Sequence, residues 1–261
     1  MKIGILGAGW VGEKLGISLL KEGHSVYTTN TSVEKSANMK ALGFTAFTVD
    51  FFIDFSDEIA NQFSNLDIVI ISIALRRSLS VEETQQIFKN CIRFLKNGKN
   101  QQLVFFSSVG VYPIFNEQID ESFKEDLLVP RIRNAEKLLQ DSFPDISILR
   151  LGGIFGEDRI FAKYFANRVL KGGNLPVNHI HYLDIIGVVK WIIEKQLHSE
   201  VLNVVAPIKT SKEAVINEQV QSYNIVKPTA IEIDTASFKE VIPARLEDLE
   251  YQFIKPNPIY F

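Results

Sequence analysis

Three glycines, Gly7, Gly9 and Gly12, stand in G-x-G-x-x-G spacing within the opening stretch KIGILGAGWVGEKLG. A glycine at the first position permits a tight turn out of a strand. At the second it lets backbone amides approach a pyrophosphate with no side chain between, and at the third it lets the next helix lie close to the strand. The start of that helix offers N–H groups and partial positive charge to phosphate. The spacing alone is a weak signal. Here it follows an apolar run, opens a helical pattern through Trp10, Val11 and Gly16, and precedes a second strand-like run at the right distance. The chemistry expected is dinucleotide binding; the alternative is a glycine turn that only packs a helix on a sheet.

The second strand-like run ends in VYTTNTSVEKS, which places Asn30 where an NAD site usually carries Asp or Glu on the ribose. Thr31, Ser32 and the first-turn amides of the next helix suit a 2′-phosphate, with Lys35 nearby. The absent carboxylate favours NADP over NAD, although the stretch has no arginine. Asp50 ends a third run, where its carboxylate either accepts the adenine amino group or caps a turn. Arg76 and Arg77 follow a fourth run and suit a phosphate or a substrate carboxylate, or form a solvated loop pair.

Other reactive residue types carry less. Ser107 and Ser108 lack the G-x-S-x-G elbow of a hydrolase nucleophile. His179, His181 and Asp184 have no matching Cys or His cluster elsewhere, so no metal is expected. They read as a short strand followed by a helix-capping acid. Cys91 sits on the apolar side of a helical stretch as an inert thiol, and a lone cysteine excludes an internal disulfide.

The elements that must position these residues alternate. Strand signals fall at 2–6, 25–29, 44–49, 67–73, 102–108 and 146–151, and helical ones at 10–21, 33–42, 81–96 and 129–141. Several strand runs are almost continuously apolar, as in parallel strands covered on both faces. The fold class is α/β, a Rossmann-like doubly wound parallel sheet with a smaller C-terminal substrate lobe. Ligands would bind outside the carboxyl ends of the strands, an edge that carries 7–12, Asn30, Asp50, Ile73, Ala74 and 107–112. Residues 1–151 form the nucleotide-binding domain, with segments returning from the C-terminal half. Residues 152–261 form the lobe, in which FAKYFANRVLKGG, IIGVVKWIIEKQL and SKEAVINEQVQSY read as helices and VLNVVAP as a strand. The aromatic residues of YQF and IYF near the C-terminus read as lobe core.

The chain has 261 residues, 46% hydrophobic and 23% charged, and a net charge of −3. That balance gives no electrostatic ground for nucleic acid or an anionic membrane as partner. No run approaches the roughly 20 apolar residues of a membrane span. The N-terminus lacks the order of a signal peptide, and with the single cysteine this points to the cytoplasm.

Together with the glycine turn, the segments TVDF, LDIVIISIA and VFFSSVGVYP make the chain resemble the short-chain dehydrogenase/reductase superfamily. The resemblance is to its atypical NAD(P)-dependent epimerase/dehydratase branch, labelled nucleoside-diphosphate-sugar epimerase-like. LRLGGIFGEDR and VNHIHYLDII extend it over nearly the whole chain. It implies that Asp50 contacts adenine, that Ile73 and Ala74 lie near the cofactor ribose, and that Gly153 and Ile154 lie beside the nicotinamide. Ser107 and Arg133 join the cofactor-binding set. Ser108, four residues before Tyr112, would hydrogen-bond a substrate oxygen. The family's Tyr-x-x-x-Lys pair, in which the lysine lowers the pKa of a proton-exchanging tyrosine, is missing. No tyrosine occurs between 113 and 163, and the matching register holds Leu128 and Ile132. Arg131 or Arg133 could hold the ribose, and Tyr112 could serve as acid/base. The resemblance thus implies a reductase or epimerase acting on a small polar or nucleotide-sugar substrate, or a non-catalytic NAD(P)-binding sensor or scaffold. It also implies a homodimer through the helices flanking the fourth and fifth strands.

Overall fold

The computed structural model describes residues 1–234 and 238–259. Its first stretch is β1 (Lys2–Leu6), α1 (Trp10–Lys21), β2 (Ser25–Asn30), α2 (Val33–Ala41), β3 (Thr45–Thr48), α3 (Asp57–Phe63), β4 (Ile68–Ile71), α4 (Val81–Leu95) and β5 (Gln102–Ser108). There follow β6 (Gln118–Ile119), α5 (Pro130–Ser142), β7 (Ser147–Leu151), β8 (Gly153–Phe155), β9 (Val169–Leu170), β10 (His179–His181) and α6 (Tyr182–Glu194). The chain ends with β11 (Val201–Val204), α7 (Lys212–Tyr223), β12 (Ala230–Ile231), β13 (Glu240–Val241) and α8 (Ala244–Asp248).

Seven strands form one sheet in the order β11-β7-β5-β4-β1-β2-β3. The pairs β1–β2, β2–β3, β1–β4 and β4–β5 are parallel. The chain moves outward from β1 to β3 and then crosses to β4 on the other side, which makes the carboxyl edge between β1 and β4 a topological switch point. β4 is buried along its whole length, as its continuous apolar run demands. Against it pack Phe63 of α3 and Phe88, Cys91 and Phe94 of α4. The rings of Phe51 and Phe94 meet edge to face at 5.3 Å.

Helix starts follow local chemistry. The hydroxyls of Ser32, Ser56, Ser80 and Ser211 accept from first-turn amides of α2, α3, α4 and α7. At α4 the carboxylate of Glu83 accepts in return from Ser80 N, which completes a capping box. α1 begins differently, at Gly9, with no side-chain cap.

Two elements depart from the pattern read in the sequence. α3 is a helix of seven residues that no periodicity announced. The helix expected over FAKYFANRVLKGG does not form. A short 3-10 turn covers Phe161–Phe165, Asn167 takes the left-handed backbone with φ 59°, and the chain enters β9.

The chain divides into two compact units. One comprises Met1–Val111, Val129–Leu149 and Val189–Val201, the other Tyr112–Leu128, Arg150–Val188 and Leu202–Phe261. The division is interleaved: Val189–Val201 of the C-terminal half belongs to the first unit and Tyr112–Leu128 to the second. The second unit contains the parallel pairs β8–β10, β9–β12 and β6–β13. One of its cores is Ile160, Ala162, Leu170, Ile216 and Val220. Among the C-terminal aromatics Tyr251 is buried; Tyr260 and Phe261 lie outside the described residues.

Candidate functional site

The glycine turn leaves β1 through Gly7, whose φ of +77° is left-handed. A Cβ there would stand 3.2 Å from the backbone of both Ile73 and Ser72, so the position is closed to other residues by conformation and by space. Gly12 is nearly as tight, 3.2 Å from Ile5 of β1, and lets α1 lie on the strand. Gly9 is different: it is exposed, and the nearest atom to a Cβ is Gly7 O at 3.9 Å. The first two glycines serve packing, whereas Gly9 leaves open space before an uncapped helix start. That is the cradle a pyrophosphate requires. Trp10 opens α1 and carries the Lys14 ammonium over its ring at 4.8 Å; Val11 is buried.

The end of β2 ties the turn down. Gly7 N donates to Thr29 Oγ1 at 2.9 Å, Ala8 N to Thr29 O at 2.9 Å, and Asn30 Nδ2 to Ala8 O at 2.8 Å. Beyond the turn, a cleft of about 630 Å³ opens within the first unit. Gly7, Gly9, Asn30, Thr31, Lys35, Asp50, Ile73, Ala74 and Arg76 line it. These belong to the set that the sequence assigned to cofactor or phosphate, and they stand at or beyond the carboxyl ends of four parallel strands, β1 to β4. Val49, Phe51, Phe52, Leu79 and Ile87 also line it and were not foreseen. They give the cleft an apolar end suited to a nucleobase. Asp50 lines the cleft and also caps a turn, its Oδ1 accepting from Phe52 N at 2.9 Å. Ser32 acts as the α2 cap, its Oγ accepting from Lys35 N. Arg77 is exposed on the loop after β4.

Several expected site residues are engaged elsewhere. Ser107 is buried and its hydroxyl donates to Glu136 Oε1 at 2.6 Å. Arg133 pairs with the same glutamate at 3.6 Å and donates to Gln140 Oε1 at 2.7 Å. Arg131 Nη1 donates to Arg76 O at 3.0 Å, so it braces the loop that carries Arg76. Ser108 is half-buried, and its Oγ accepts from Gly110 N at 3.0 Å.

Tyr112 requires a correction. Its ring is 1% exposed in the second unit. Its hydroxyl donates to Asn203 Oδ1 and accepts from Arg150 Nη1, both at 2.8 Å. Burial raises the phenol's pKa above its ordinary value. A phenol enclosed in this way ties a core together and is poorly placed to exchange protons with a substrate.

Gly153 and Ile154 lie on β8, where Gly153 leaves room for the His179 ring; a Cβ there would stand 2.5 Å from it. His179 and His181 form β10 as expected. Burial lowers both imidazoles to about 4, so they are neutral at pH 7. Asp184 is not the expected cap. It is fully buried and accepts from the backbone N–H groups of Ile254 at 2.6 Å and Lys255 at 3.0 Å. No group of three or more His, Cys, Asp or Glu able to hold a metal occurs among the described residues. Cys91 is free and buried, and burial pushes its thiol pKa up. Among the described residues no helix is long and apolar enough to cross a membrane.

The chain belongs to the NAD(P)H-binding family, whose family model matches residues 7–177. It is similar to protein YeeZ of Escherichia coli K12, with 21% identity covering 99% of this chain and 97% of the relative. Among solved structures it resembles dTDP-glucose 4,6-dehydratase of Bacillus anthracis in complex with NAD. The TM-score is 0.78 at 13% identity, covering 99% of this chain and 94% of that one. It also resembles human epimerase family protein SDR39U1 with NADPH, with a TM-score of 0.73 at 16% identity, covering 99% and 96%. The fold is therefore the Rossmann-like fold of NAD(P)-binding epimerase/dehydratase-like proteins.

Proposed function

We propose that this protein binds NADPH in preference to NADH in the cleft of its first unit. Charge carries this reading. Lys35 and Arg76 line the cleft, and Asp50 is the one carboxylate among the lining residues. Thr31 and Lys35 follow β2 in the chain and stand ready to receive a 2′-phosphate. The open space at Gly9 and the α1 N-terminus suit the pyrophosphate. The apolar end at Val49, Phe51, Leu79 and Ile87 suits adenine, with Asp50 within the same wall.

The dinucleotide would supply hydride chemistry when bound. What this chain adds is Ser108, whose hydroxyl, already the acceptor for Gly110 N, would donate its hydrogen to a substrate oxygen in a reduction or epimerisation of a small polar or nucleotide-sugar substrate. A second reading, a non-catalytic NADP(H)-binding sensor or scaffold, is favoured by the enclosure of Tyr112 together with the missing Tyr-x-x-x-Lys pair.

The test is a titration of cofactor-stripped protein with NADPH and then NADH, followed by tryptophan quenching and energy transfer to the nicotinamide. Trp191 is the only other tryptophan, so a Trp10→Phe control assigns the signal. Saturable transfer with NADPH tighter by about tenfold is expected, the size of one charge-assisted contact. Tighter NADH would overturn the preference, and no binding would overturn the reading. Oxidation of bound NADPH by any of a panel of nucleotide sugars and small carbonyl compounds would decide for the enzyme.

A further inference from the structure

The residue at the end of β2 stands where dinucleotide-binding folds place the group that grips the adenosine ribose. Here its side chain is turned inward. Asn30 is 5% exposed, and its carboxamide spends a donor on the carbonyl of Ala8 at 2.8 Å. The opposite orientation of the amide would set two acceptors against each other at that distance, so the assignment of Nδ2 is fixed by chemistry. Oδ1 is also buried, with no hydrogen-bond partner among the described residues. Asn30 lines the cleft, but its Nδ2 is committed to the Ala8 carbonyl and its Oδ1 is buried.

We infer that Asn30 is a positioning residue: it holds the Ala8 carbonyl and thereby the aim of the glycine turn, and discrimination between NADP and NAD lies with other residues of the cleft. The inference rests on the NADP(H)-binding reading above. Residues 7 and 8 are otherwise fastened to β2 by Gly7 N on Thr29 Oγ1 and Ala8 N on Thr29 O. Asn30 supplies the third fastening, the one made to the Ala8 carbonyl. The Gly9 N–H of the same peptide donates to Gly7 O at 2.7 Å. Rotation of that peptide would break this bond as well and shift the turn where the pyrophosphate approaches. An aspartate at position 30 cannot donate at neutral pH. It would face the Ala8 carbonyl as a buried charge, with one oxygen in a place that offers no donor. Replacing Asn30 with the acid typical of NAD sites would therefore loosen the turn rather than move the preference to NAD.

The experiment compares wild type, Asn30→Asp and Asn30→Ala. Alanine removes the donor without adding charge, and it keeps the test open if the aspartate variant fails to fold. Two readouts are taken: amide hydrogen exchange of residues 7–9 without cofactor, and the ratio of NADPH to NADH affinity. Faster exchange in both variants is expected. Both affinities should fall together by about 3–10-fold, the worth of one buried hydrogen bond, with the ratio kept within about twofold. Unchanged exchange at residues 7–9 overturns the inference. So does a swing of the ratio toward NADH by about tenfold in Asn30→Asp, which would make Asn30 the discriminating residue. Wild type that binds neither cofactor would sink the NADP(H) reading while the exchange data still decide the positioning role.

Discussion

The glycine turn of the first unit and the tyrosine cluster of the second are both built from hydrogen-bonding groups, but they spend them differently. Around Tyr112 the groups satisfy one another. Arg150 and Asn203 saturate the phenol, and Asn203 N donates in turn to Glu121 Oε1 at 2.7 Å. In the turn, the fastenings to Thr29 and Asn30 fix the backbone from behind, while the face toward the cleft is left to an uncapped helix start. Polar side chains alone do not mark a site. A site is marked by polar groups held rigid by others and left unspent on their open side.

The largest effect should come from closing that open side. Gly9→Asp places a carboxylate at the α1 N-cap, where the nearest obstacle to its Cβ is 3.9 Å away. An acidic cap in place of glycine stabilises a helix by roughly a few tenths of a kcal/mol. The same carboxylate occupies and repels the phosphate position. Thermal unfolding should hold or rise while NADPH affinity falls by about 100-fold or more, equivalent to about 2.7 kcal/mol. A variant that binds as tightly as wild type would remove the distinction between the two regions.

Tyr112→Phe should show the reverse pattern. It removes the phenol donor from the buried Asn203 Oδ1 and the phenol acceptor from Arg150, and should cost about 1–3 kcal/mol in denaturant unfolding. NADPH affinity should stay unchanged. Loss of cofactor turnover without loss of stability would return Tyr112 to the chemistry.

A smaller effect lies in the pH dependence of stability. His179 and His181 are held by burial at about 4, below the ordinary value of 6.5. The unfolded chain takes up these protons near 6.5, and the folded one only near 4. Their contribution is therefore complete above about pH 6.5 and lost progressively as pH falls toward 4. His179→Phe should flatten that part of the stability profile, measured by urea unfolding from pH 4 to 7. An unaltered profile would take His179 out of the account.

The smallest effect is expected for Arg131→Gln. The guanidinium braces the loop after β4 through the Arg76 carbonyl from a partly exposed position. NADPH affinity should weaken by about 2–5-fold, as for one exposed charge-assisted contact. A loss of about 100-fold would mean that Arg131 touches the cofactor itself.

How far the sequence could be read follows from how far apart the interacting residues lie. The glycine spacing, the apolar strands and the cleft residues at strand ends are local signals, and the strand order collects them at one edge. The helix α3 was missed because two turns capped by Ser56 are too short for a period to show. The fate of Tyr112 was hidden because its partners lie 38 and 91 residues away, on β7 and β11. The inward turn of Asn30 depends on a carbonyl 22 residues earlier in the chain. Residue type placed Asn30 correctly at the end of β2 but could not say which way its amide turns.

Asp184 brings time into this picture. It stands in the first turn of α6, and the two backbone N–H groups that donate to its buried carboxylate come from Ile254 and Lys255, some 70 residues later. During synthesis the α6 carboxylate emerges long before the chain that satisfies it, and domains fold as units while the chain grows. The residues of the first unit all lie at or before Val201. A nascent chain thus passes through a stage in which the nucleotide-binding unit is fully supplied with its residues and the second unit still waits for its tail.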